Sequence, residues 1–328
     1  MREIGGYFEL ERFGGRAYHE GAIELNCGRS CLEYLIELRD IKRIWLPDFL
    51  CDSVYELCNR MRVEVEQYAI QRDFGLPDGL TIGDGDFLYL VDFYGQLSSR
   101  QVSFAIKLSG GRLIVDESQG FFRMPWPDSD TLYTCRKFFG VADGGYLYTR
   151  DEAKILRDIP ESFSHAQMGF LLGRFEEGAG MFFEESKRNN ARFVQEGLKL
   201  MSPITRNLLN AVDYEEARSR RNANWAILHK AFGDTNKLSL RFPRGAFMYP
   251  LLIGDATGIR EAMAKRGIYI PMLWPGVSDR CPSSSDAGNY AKNILPLPLD
   301  QRYGEDDMRM LIDSLKPILP SCSEEEDM

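Results

Sequence analysis

The residue whose surroundings most directly suggest chemistry is Lys137. It follows a β-branched and aromatic run at 131–134, it is flanked by Phe138 and Phe139, and a Gly-Gly pair comes at 144–145. A lysine held in apolar surroundings has a lowered pKa and is more often the neutral amine that attacks carbonyl groups. The segment therefore predicts a lysine that forms a Schiff base. An Arg-Lys pair at the edge between a strand and a loop is the simpler structural alternative.

Polar residues directly follow two apolar strands. Leu113–Val115 leads into Asp116, with Gln119 three residues later, and Phe87–Val91 leads into a segment that contains Tyr94. In doubly wound folds ligands bind outside the carboxyl ends of the strands, where these side chains would lie. The alternative for Asp116 is a carboxylate that only caps the next turn.

A third feature is the start of a helix near residue 28. The apolar stripe of residues 32–38 has helical spacing, and Ser30 with Glu33 predicts an S-x-x-E capping box at its beginning. The same start can also bind a phosphate. Backbone N–H groups are free there, Gly28 allows close approach, and Arg29 and Ser30 add donors.

The composition limits the class of protein. The chain has 328 residues, 44% of them hydrophobic and 27% charged, which is typical of a globular enzyme. Its net charge of −9 argues against a nucleic-acid-binding surface. The sequence contains neither an apolar run of about 18 residues nor a secretion signal. We therefore expect a cytoplasmic protein that neither spans membranes nor binds nucleic acid.

The cysteines and histidines do not suggest a metal site. Seven cysteines have no C-x-x-C spacing, and the three histidines lie far apart. This pattern fits neither a disulfide framework nor a zinc site. We expect no metal.

Buried strands that alternate with helices predict an α/β fold, with a mostly parallel sheet covered on both faces. Residues 151–235 are expected to be mostly helical, with solvated faces and a dimer surface. A second alternation follows, with strands at 247–253 and 268–270 and helices at 257–265 and 305–315. We therefore predict a large domain at 1–240, a small C-terminal α/β domain at 241–320 and a disordered acidic tail at 321–328.

These features together are the parts that a pyridoxal 5'-phosphate (PLP) enzyme needs. The cofactor's phosphate needs N–H and hydroxyl donors, its ring nitrogen needs a carboxylate, and its aldehyde needs a lysine amine. The sequence offers the helix start, Asp116 and Lys137 in that order. Each part is weak evidence alone, but the ordered set favours PLP chemistry.

The sequence resembles the DegT/StrS family of PLP-dependent aminotransferases, which have fold type I and whose best-known members aminate nucleotide-linked keto-sugars. Lys137-Phe-Phe-Gly-Val-Ala-Asp-Gly-Gly145 is similar to the family's lysine segment, and Val115-Asp-Glu-Ser-Gln119 to its Asp-x-x-Gln segment. Val91-Asp-Phe-Tyr-Gly-Gln96 and Leu295-Pro-Leu-Pro298 are supporting matches. The resemblance implies a three-layer α/β/α large domain of the PLP-transferase type and a smaller C-terminal domain.

The resemblance also implies roles for individual residues. Lys137 would form the internal aldimine with the cofactor and shuttle a proton, Asp116 would pair with the pyridinium nitrogen, and Gln119 would bond near the ring hydroxyl. The remaining implied residues are Gly28, Arg29, Ser30 and Thr134 at the phosphate, Phe49 or Cys51 against the ring, and Tyr94 at the substrate.

The sequence departs from the family at several points. Only 21 positions separate Asp116 from Lys137, so the connection at 121–130 is shortened. The residue that stacks on the cofactor ring falls between Phe49 and Cys51, and the sequence does not decide between them. A Gly-Tyr-Asn-Tyr-Arg-like segment, whose Asn reaches the neighbouring subunit's phosphate in the family, is not found.

The activity implied is transfer of an amino group from an amino acid, by family analogy glutamate, to a keto acceptor such as a nucleotide-linked keto-sugar, in a homodimer. A PLP-dependent dehydratase or lyase of the same fold is one alternative. In that branch of the family a histidine replaces the lysine, so Lys137 favours transfer. A non-catalytic ligand-binding relative is the other alternative.

Overall fold

The computed structural model describes residues 4–155 and 157–319. The predicted tail at 321–328 lies outside the described residues. In the described part of the chain, seven strands form one sheet in the order β1-β7-β6-β5-β4-β2-β3. Their bounds are β1 Ile23–Leu25, β2 Arg43–Pro47, β3 Glu64–Tyr68, β4 Phe87–Val91, β5 Leu113–Asp116, β6 Asp130–Thr134 and β7 Gly145–Tyr148.

Strand direction decides which residues meet. Strands β2 to β6 pair in parallel, whereas β7 is antiparallel to both β6 and β1. Strand β1 therefore runs the same way as β6, and the carboxyl ends of six strands lie at one edge. Every residue of β4, β5 and β6 is buried, which requires cover on both faces because alternate side chains point to opposite sides. The predicted α/β class with a mostly parallel, doubly covered sheet is confirmed.

The helices around this sheet are mostly where the apolar periodicity indicates. Helices α1, α2 and α3 connect the early strands, and α4 to α7 occupy the stretch predicted to be helical. Their bounds are α1 Gly28–Arg39, α2 Asp52–Arg60, α3 Ser99–Leu108, α4 Gly169–Glu177, α5 Phe183–Arg192, α6 Pro203–Leu209 and α7 Tyr214–Phe232. No helix of the described residues is long and apolar enough to cross a membrane.

A two-stranded antiparallel sheet follows in the C-terminal part of the described chain. The elements of this C-terminal part are β8 Tyr249–Leu252, α8 Ile259–Ala264, α9 Pro275–Arg280, α10 Asp286–Asn293, β9 Ile294–Leu297 and α11 Glu305–Leu315. The predicted strand at 268–270 is wrong, since this stretch has no regular structure, although Ile270 is buried in the core and Ile268 packs against it. The C-terminal part has a hydrophobic core of its own, and helix α7 contributes Trp225, Leu228 and Phe232 to it. The domain boundary at 240/241 stays a prediction, and the smaller core takes part of its packing from upstream of it.

Candidate functional site

The sheet edge brings the sequence-predicted residues together. Helix α1 starts after β1, Cys51 follows β2, Asp116 ends β5 and Thr134 ends β6, with Lys137 three residues beyond. Since these strands point the same way, all of these positions lie at the carboxyl edge, where α/β sheets bind ligands.

Lys137 is held by the packing of its neighbours. Phe138 and Phe139 are buried in an aromatic cluster, and the Phe138 carbonyl accepts hydrogen bonds from Gln301 Nε2 (2.7 Å) and from buried Arg221 (3.2 Å). The backbone directly after the lysine is therefore fixed, while the lysine side chain is exposed in a cavity of about 680 Å³.

The surrounding protein also affects the charge of Lys137. Desolvation by the surrounding protein lowers the pKa of its ammonium group, and Asp116 and Cys51 oppose that shift. The side chain is surrounded by protein and still reaches solvent, which accounts for both the lowered pKa and the exposure. The Phe247 ring lies 5.6 Å from Nζ. The direction of the shift agrees with a lysine that serves as a nucleophilic amine.

The two polar residues that follow β5 are held in place by hydrogen bonds. Asp116 Oδ2 accepts from the Tyr89 hydroxyl (2.7 Å), and Oδ1 accepts from the Ser118 N–H (2.7 Å). Gln119 Oε1 accepts from the Tyr94 N–H (2.7 Å). None of the residues described here accepts from Gln119 Nε2, so this amide can donate to a ligand.

Tyr94 does not lie where its predicted substrate role requires. Its side chain is 1% exposed and packs against Phe74. Its backbone adopts a left-handed φ of 56°, which is uncommon for a non-glycine residue. Buried in this way, the side chain cannot contact a substrate. What Tyr94 supplies to the site is the backbone N–H that orients Gln119.

The helix start near residue 28 differs from the capping-box prediction, which is wrong. Helix α1 begins at Gly28, because the Cys27 carbonyl already accepts from the Cys31 N–H (3.1 Å). Ser30 is thus inside the first turn, and its hydroxyl donates to the Gly197 carbonyl (3.4 Å). The Arg29 guanidinium donates to the Asn190 carbonyl (3.0 Å).

Two hydroxyl groups face the start of α1. A methyl group built on Gly28 would lie 3.6 Å from Ser118 Oγ and 3.8 Å from Thr134 Cβ. Neither hydroxyl bonds to another residue of 4–155 or 157–319, and the first N–H groups of a helix have no intrahelical partner. Gly28, Ser118 and Thr134 therefore form a cup of unused donors. The sequence reasoning missed Ser118, although its position two residues after the strand-ending Asp116 was a usable signal.

The structure separates the two candidates for the residue facing a cofactor ring. Phe49 is 1% exposed and packs on Phe93 and Trp274, with ring centroids 5.1 and 4.6 Å away. Cys51 is half-buried at the start of α2, where its thiol contacts Ser53 Oγ (3.2 Å) and acts electrostatically on Lys137. Cys51 lies on the Lys137 side, whereas Phe49 is part of the core.

The Asp-Gly-Gly segment after Lys137 ties several loops together. The buried Asp143 carboxylate accepts from the Ser202 N–H (3.0 Å), the Ser202 hydroxyl (2.8 Å) and the Thr205 hydroxyl, which fixes the start of α6. Gly144, at φ 115°, donates to the Asn26 carbonyl (2.6 Å) and accepts from the Cys135 N–H (3.1 Å). The segment thereby joins the loop before α1 to the loop before Lys137.

A buried pair of acids lies behind the site, and the sequence reasoning missed it. Asp92 follows β4, Glu117 follows β5, and both are 0% exposed. Arg123 Nε lies 3.2 Å from Asp92 Oδ2 and 3.7 Å from Glu117 Oε1, and Trp126 Nε1 donates to Glu117 Oε1 (2.5 Å). The shortened connection at 121–130 is anchored by these contacts.

The two acids lie close enough to share one proton. Glu117 Oε2 has no hydrogen-bond partner among the described residues, and a Cβ on Gly120 would overlap it and lie 2.8 Å from Asp92 Oδ2, so the two oxygens are neighbours. One arginine cannot neutralise two buried carboxylates. Burial, and then the charge of Asp92, raises the pKa of Glu117 well above its usual range. Burial raises the pKa of Asp92 as well, so the folded pair favours one bound proton.

Comparisons with known proteins establish the fold. No protein-family model and no curated protein matches the chain. Solved structures do match, among them S. venezuelae DesV in complex with a ketimine intermediate (TM-score 0.65, 15% identity, 90% of this chain and 84% of that chain). A DegT DnrJ EryC1 StrS aminotransferase from Brucella abortus has a TM-score of 0.60 at 14% identity, over 92% and 87%.

A third similar structure, E. coli GDP-4-keto-6-deoxy-D-mannose-3-dehydratase with bound hydrated PLP, has a TM-score of 0.61 at 14% identity, over 92% of this chain and 88% of that chain. Identities this low establish the shared architecture and leave the chemistry to be argued from this chain's own residues. The architecture is the α/β fold that the resemblance to fold type I enzymes implied.

Proposed function

We propose that the chain is a PLP-dependent aminotransferase of the DegT/StrS type, with Lys137 as the residue that binds the cofactor covalently. The observation that carries the proposal is the meeting of Lys137, Asp116 and the Gly28 cup at one sheet edge. These residues would bind the cofactor's aldehyde, its ring nitrogen and its phosphate respectively, and they follow or end three separate strands.

The residues present fit the cofactor. The cup offers free N–H groups of α1 and the hydroxyls of Ser118 and Thr134 as donors for a phosphate. Asp116 is oriented by Tyr89 and by the backbone of Ser118, so its carboxylate can hold a proton on a ring nitrogen. When bound, PLP supplies an aldehyde that takes up an amino group and a ring that accepts the electrons released from the substrate carbon.

Lys137 has two tasks in this mechanism. Its lowered pKa increases the neutral fraction of Nζ, which is the form that can attack a carbonyl or take a proton. The bonds from Arg221 and Gln301 to the Phe138 carbonyl hold the lysine backbone while Nζ moves. Gln119 Nε2 can donate to the ring hydroxyl because Tyr94 fixes the opposite end of its amide.

For the substrates we propose glutamate as donor and a nucleotide-linked keto-sugar as acceptor. Two further similar structures are those of the sugar aminotransferase CalS13 from Micromonospora echinospora and of Spr1654 from Streptococcus pneumoniae, which is described as a sugar aminotransferase. The cavity beside Lys137 supports an anionic acceptor, since Arg136 and Arg174 line it without a carboxylate partner among the described residues, whereas Arg302 is paired with Asp300. The cytoplasmic location expected from the sequence stays a prediction.

A homodimer is the proposed assembly. The helical stretch beside the cavity exposes large apolar side chains, namely Leu172, Phe175, Met181 and Phe183. Exposed apolar patches mark interaction sites, and a second copy covering this patch would also narrow the cavity mouth. Light scattering on purified protein tests this assembly, and a monomer at micromolar concentration would contradict it.

The experiment that tests the activity starts from purified protein with added PLP. We expect a visible absorption band that is lost in Lys137→Met and kept in the control Lys187→Met, whose lysine lies exposed on α5. L-glutamate should then change the band and release 2-oxoglutarate. Protein that gains no band with PLP contradicts the proposal.

The similarity to the E. coli dehydratase favours one second candidate, a dehydratase of the same fold. The lysine at position 137 argues against it, since the resemblance places a histidine there in dehydratases. A protein that binds PLP through Lys137 but gives no half-reaction with any amino donor would support this second candidate.

A further inference from the structure

Three arginines from separate segments surround the ring of Phe193. The guanidinium carbons of Arg136 and Arg192 each lie 4.4 Å from the ring centroid, and that of Arg29 lies 5.7 Å away. Phe193 itself is buried, and all three arginines are half-buried. We call these three residues the arginine cluster.

The positive charge of the cluster is largely unpaired. Arg192 forms an ion pair with Glu196 (2.9 Å), but Arg29 and Arg136 reach no carboxylate within the described ranges. They donate instead to neutral groups of Asn190, its carbonyl and its side-chain oxygen respectively. The buried Nε atoms of Arg136 and Arg192 have no hydrogen-bond partner in the part of the chain that the structure describes.

Such an arrangement is unfavourable without an anion. Burial, together with repulsion from Arg29 and Arg192, lowers the pKa of Arg136 to about 10, although Cys27 opposes the shift. Unpaired like charges held together by the fold are typical of functional sites rather than of stabilising networks.

The location of the cluster narrows the choice of anion. Arg29 is the second residue of α1, next to the Gly28 cup, and Arg136 precedes Lys137. The end of α5 is docked against this corner, since Asn189 (2.9 Å) and Arg192 (3.4 Å) both donate to the Ala142 carbonyl. Guanidinium groups bind phosphate through paired N–H donors, and the start of a helix favours the same ligand.

We propose that the arginine cluster is a phosphate-binding site, completed within one chain by Arg136 and Arg192. The site rests on the proposed function only for the source of the phosphate, which is either the cofactor's phosphate or that of a phosphorylated substrate. A phosphate would gain paired donors from Arg136 and Arg29 and relieve the repulsion between them.

The test uses the full-length protein without cofactor, titrated with inorganic phosphate by calorimetry. We expect Arg136→Met and Arg192→Met each to weaken phosphate binding by at least tenfold. The control Arg309→Met removes an exposed arginine paired within α11 and should leave the affinity unchanged. Equal affinity in all four proteins would overturn the proposal.

Thermal melting separates ligand binding from a structural role. Without an anion, Arg136→Met should melt at the same temperature as the wild type or higher, because the repulsion is relieved. Phosphate should raise the melting temperature of the wild type and not that of the variant. An Arg136→Met protein that is destabilised yet still stabilised by phosphate to the same degree would contradict the proposal.

Two further titrations identify the source. If the cluster holds the cofactor's phosphate, Arg136→Met weakens PLP binding and leaves pyridoxal binding unchanged. If it holds a substrate's phosphate, PLP binding is kept while binding of the probe uridine diphosphate is lost. Phosphate binding without any PLP binding would refute the proposed function and leave the cluster's assignment standing.

Discussion

Replacing Glu117 by glutamine should change how stability depends on pH. Glu117 is buried with Asp92 as a pair that shares one proton, with Arg123 as the nearest cation. A glutamine at this position can donate its N–H to Asp92 and still accept from Trp126 Nε1. It keeps the hydrogen bonds and removes the titration.

The direction in which the free energy of unfolding changes with pH follows from proton linkage. The folded-state pKa of Glu117 is raised, whereas in the unfolded chain the carboxyl titrates near its ordinary value of about 4.3. Between these two values the folded protein holds a proton that the unfolded chain releases. The stabilisation is therefore complete at low pH and is lost as the pH rises toward the folded pKa, by about 1.4 kcal/mol per pH unit.

The groups around Asp92 and Glu117 allow the pH dependence to be assigned to this pair. Arg123 and Arg241 act on Asp92, and Tyr133 of β6 faces Glu117. Burial raises the pKa of Tyr133 far above the range from pH 5 to pH 8. The groups that we expect to titrate here are thus the carboxyls of Asp92 and Glu117.

The assay is urea denaturation of wild type and Glu117→Gln from pH 5 to pH 8. We expect the free energy of unfolding of the variant to gain on the wild type by about 1.4 kcal/mol per pH unit until the folded pKa is reached. The control Glu37→Gln removes a carboxyl whose pKa Arg157 lowers, so its difference from wild type should be flat above pH 6. A constant difference for Glu117→Gln would refute the shared proton.

Four further substitutions test single parts of the site and of the core beside it. Asp116→Asn should keep measurable PLP binding but lose at least tenfold in turnover, because ring protonation depends on the carboxylate. Absorbance titration measures the binding and a 2-oxoglutarate assay measures the turnover. Unchanged turnover would contradict the assignment of Asp116 to the ring nitrogen. Asp143→Ala should lower the free energy of unfolding by about 3 kcal/mol in urea, because it leaves buried donors of Ser202 and Thr205 unpaired. Phe49→Ala should lower the free energy of unfolding by about 3–5 kcal/mol, because it leaves a cavity in the core, whereas Cys51→Ala should lower it by less than about 1 kcal/mol. Equal values for the two variants would place Phe49 outside the core.

The sequence was most informative where function depends on strand ends. Asp116, Thr134 and Lys137 each follow an apolar run, and parallel strands bring such positions to one edge without further information. The fold class could be predicted for the same reason, since continuous apolar strands alternating with helices require a doubly covered sheet.

The local errors have physical causes. Ser30 and Glu33 have capping-box spacing, but the Cys27 carbonyl starts the helix earlier. The left-handed backbone of Tyr94 turns its ring into the core, which its sequence does not reveal.

The missed groups are made of residues far apart in sequence. Asp92 and Glu117 meet only because β4 pairs with β5, and Arg29 and Arg136 reach the Phe193 ring only because the end of α5 docks on the start of α1. Pairing between distant segments has no local signal in a single sequence.

The most direct test of the proposed role of Lys137 is borohydride reduction of the PLP-loaded protein followed by peptide mapping. We expect one pyridoxyl group per chain, located on Lys137 Nζ, and none in Lys137→Met. Labelling of a different lysine, or no labelling of protein that has bound PLP, would contradict that role.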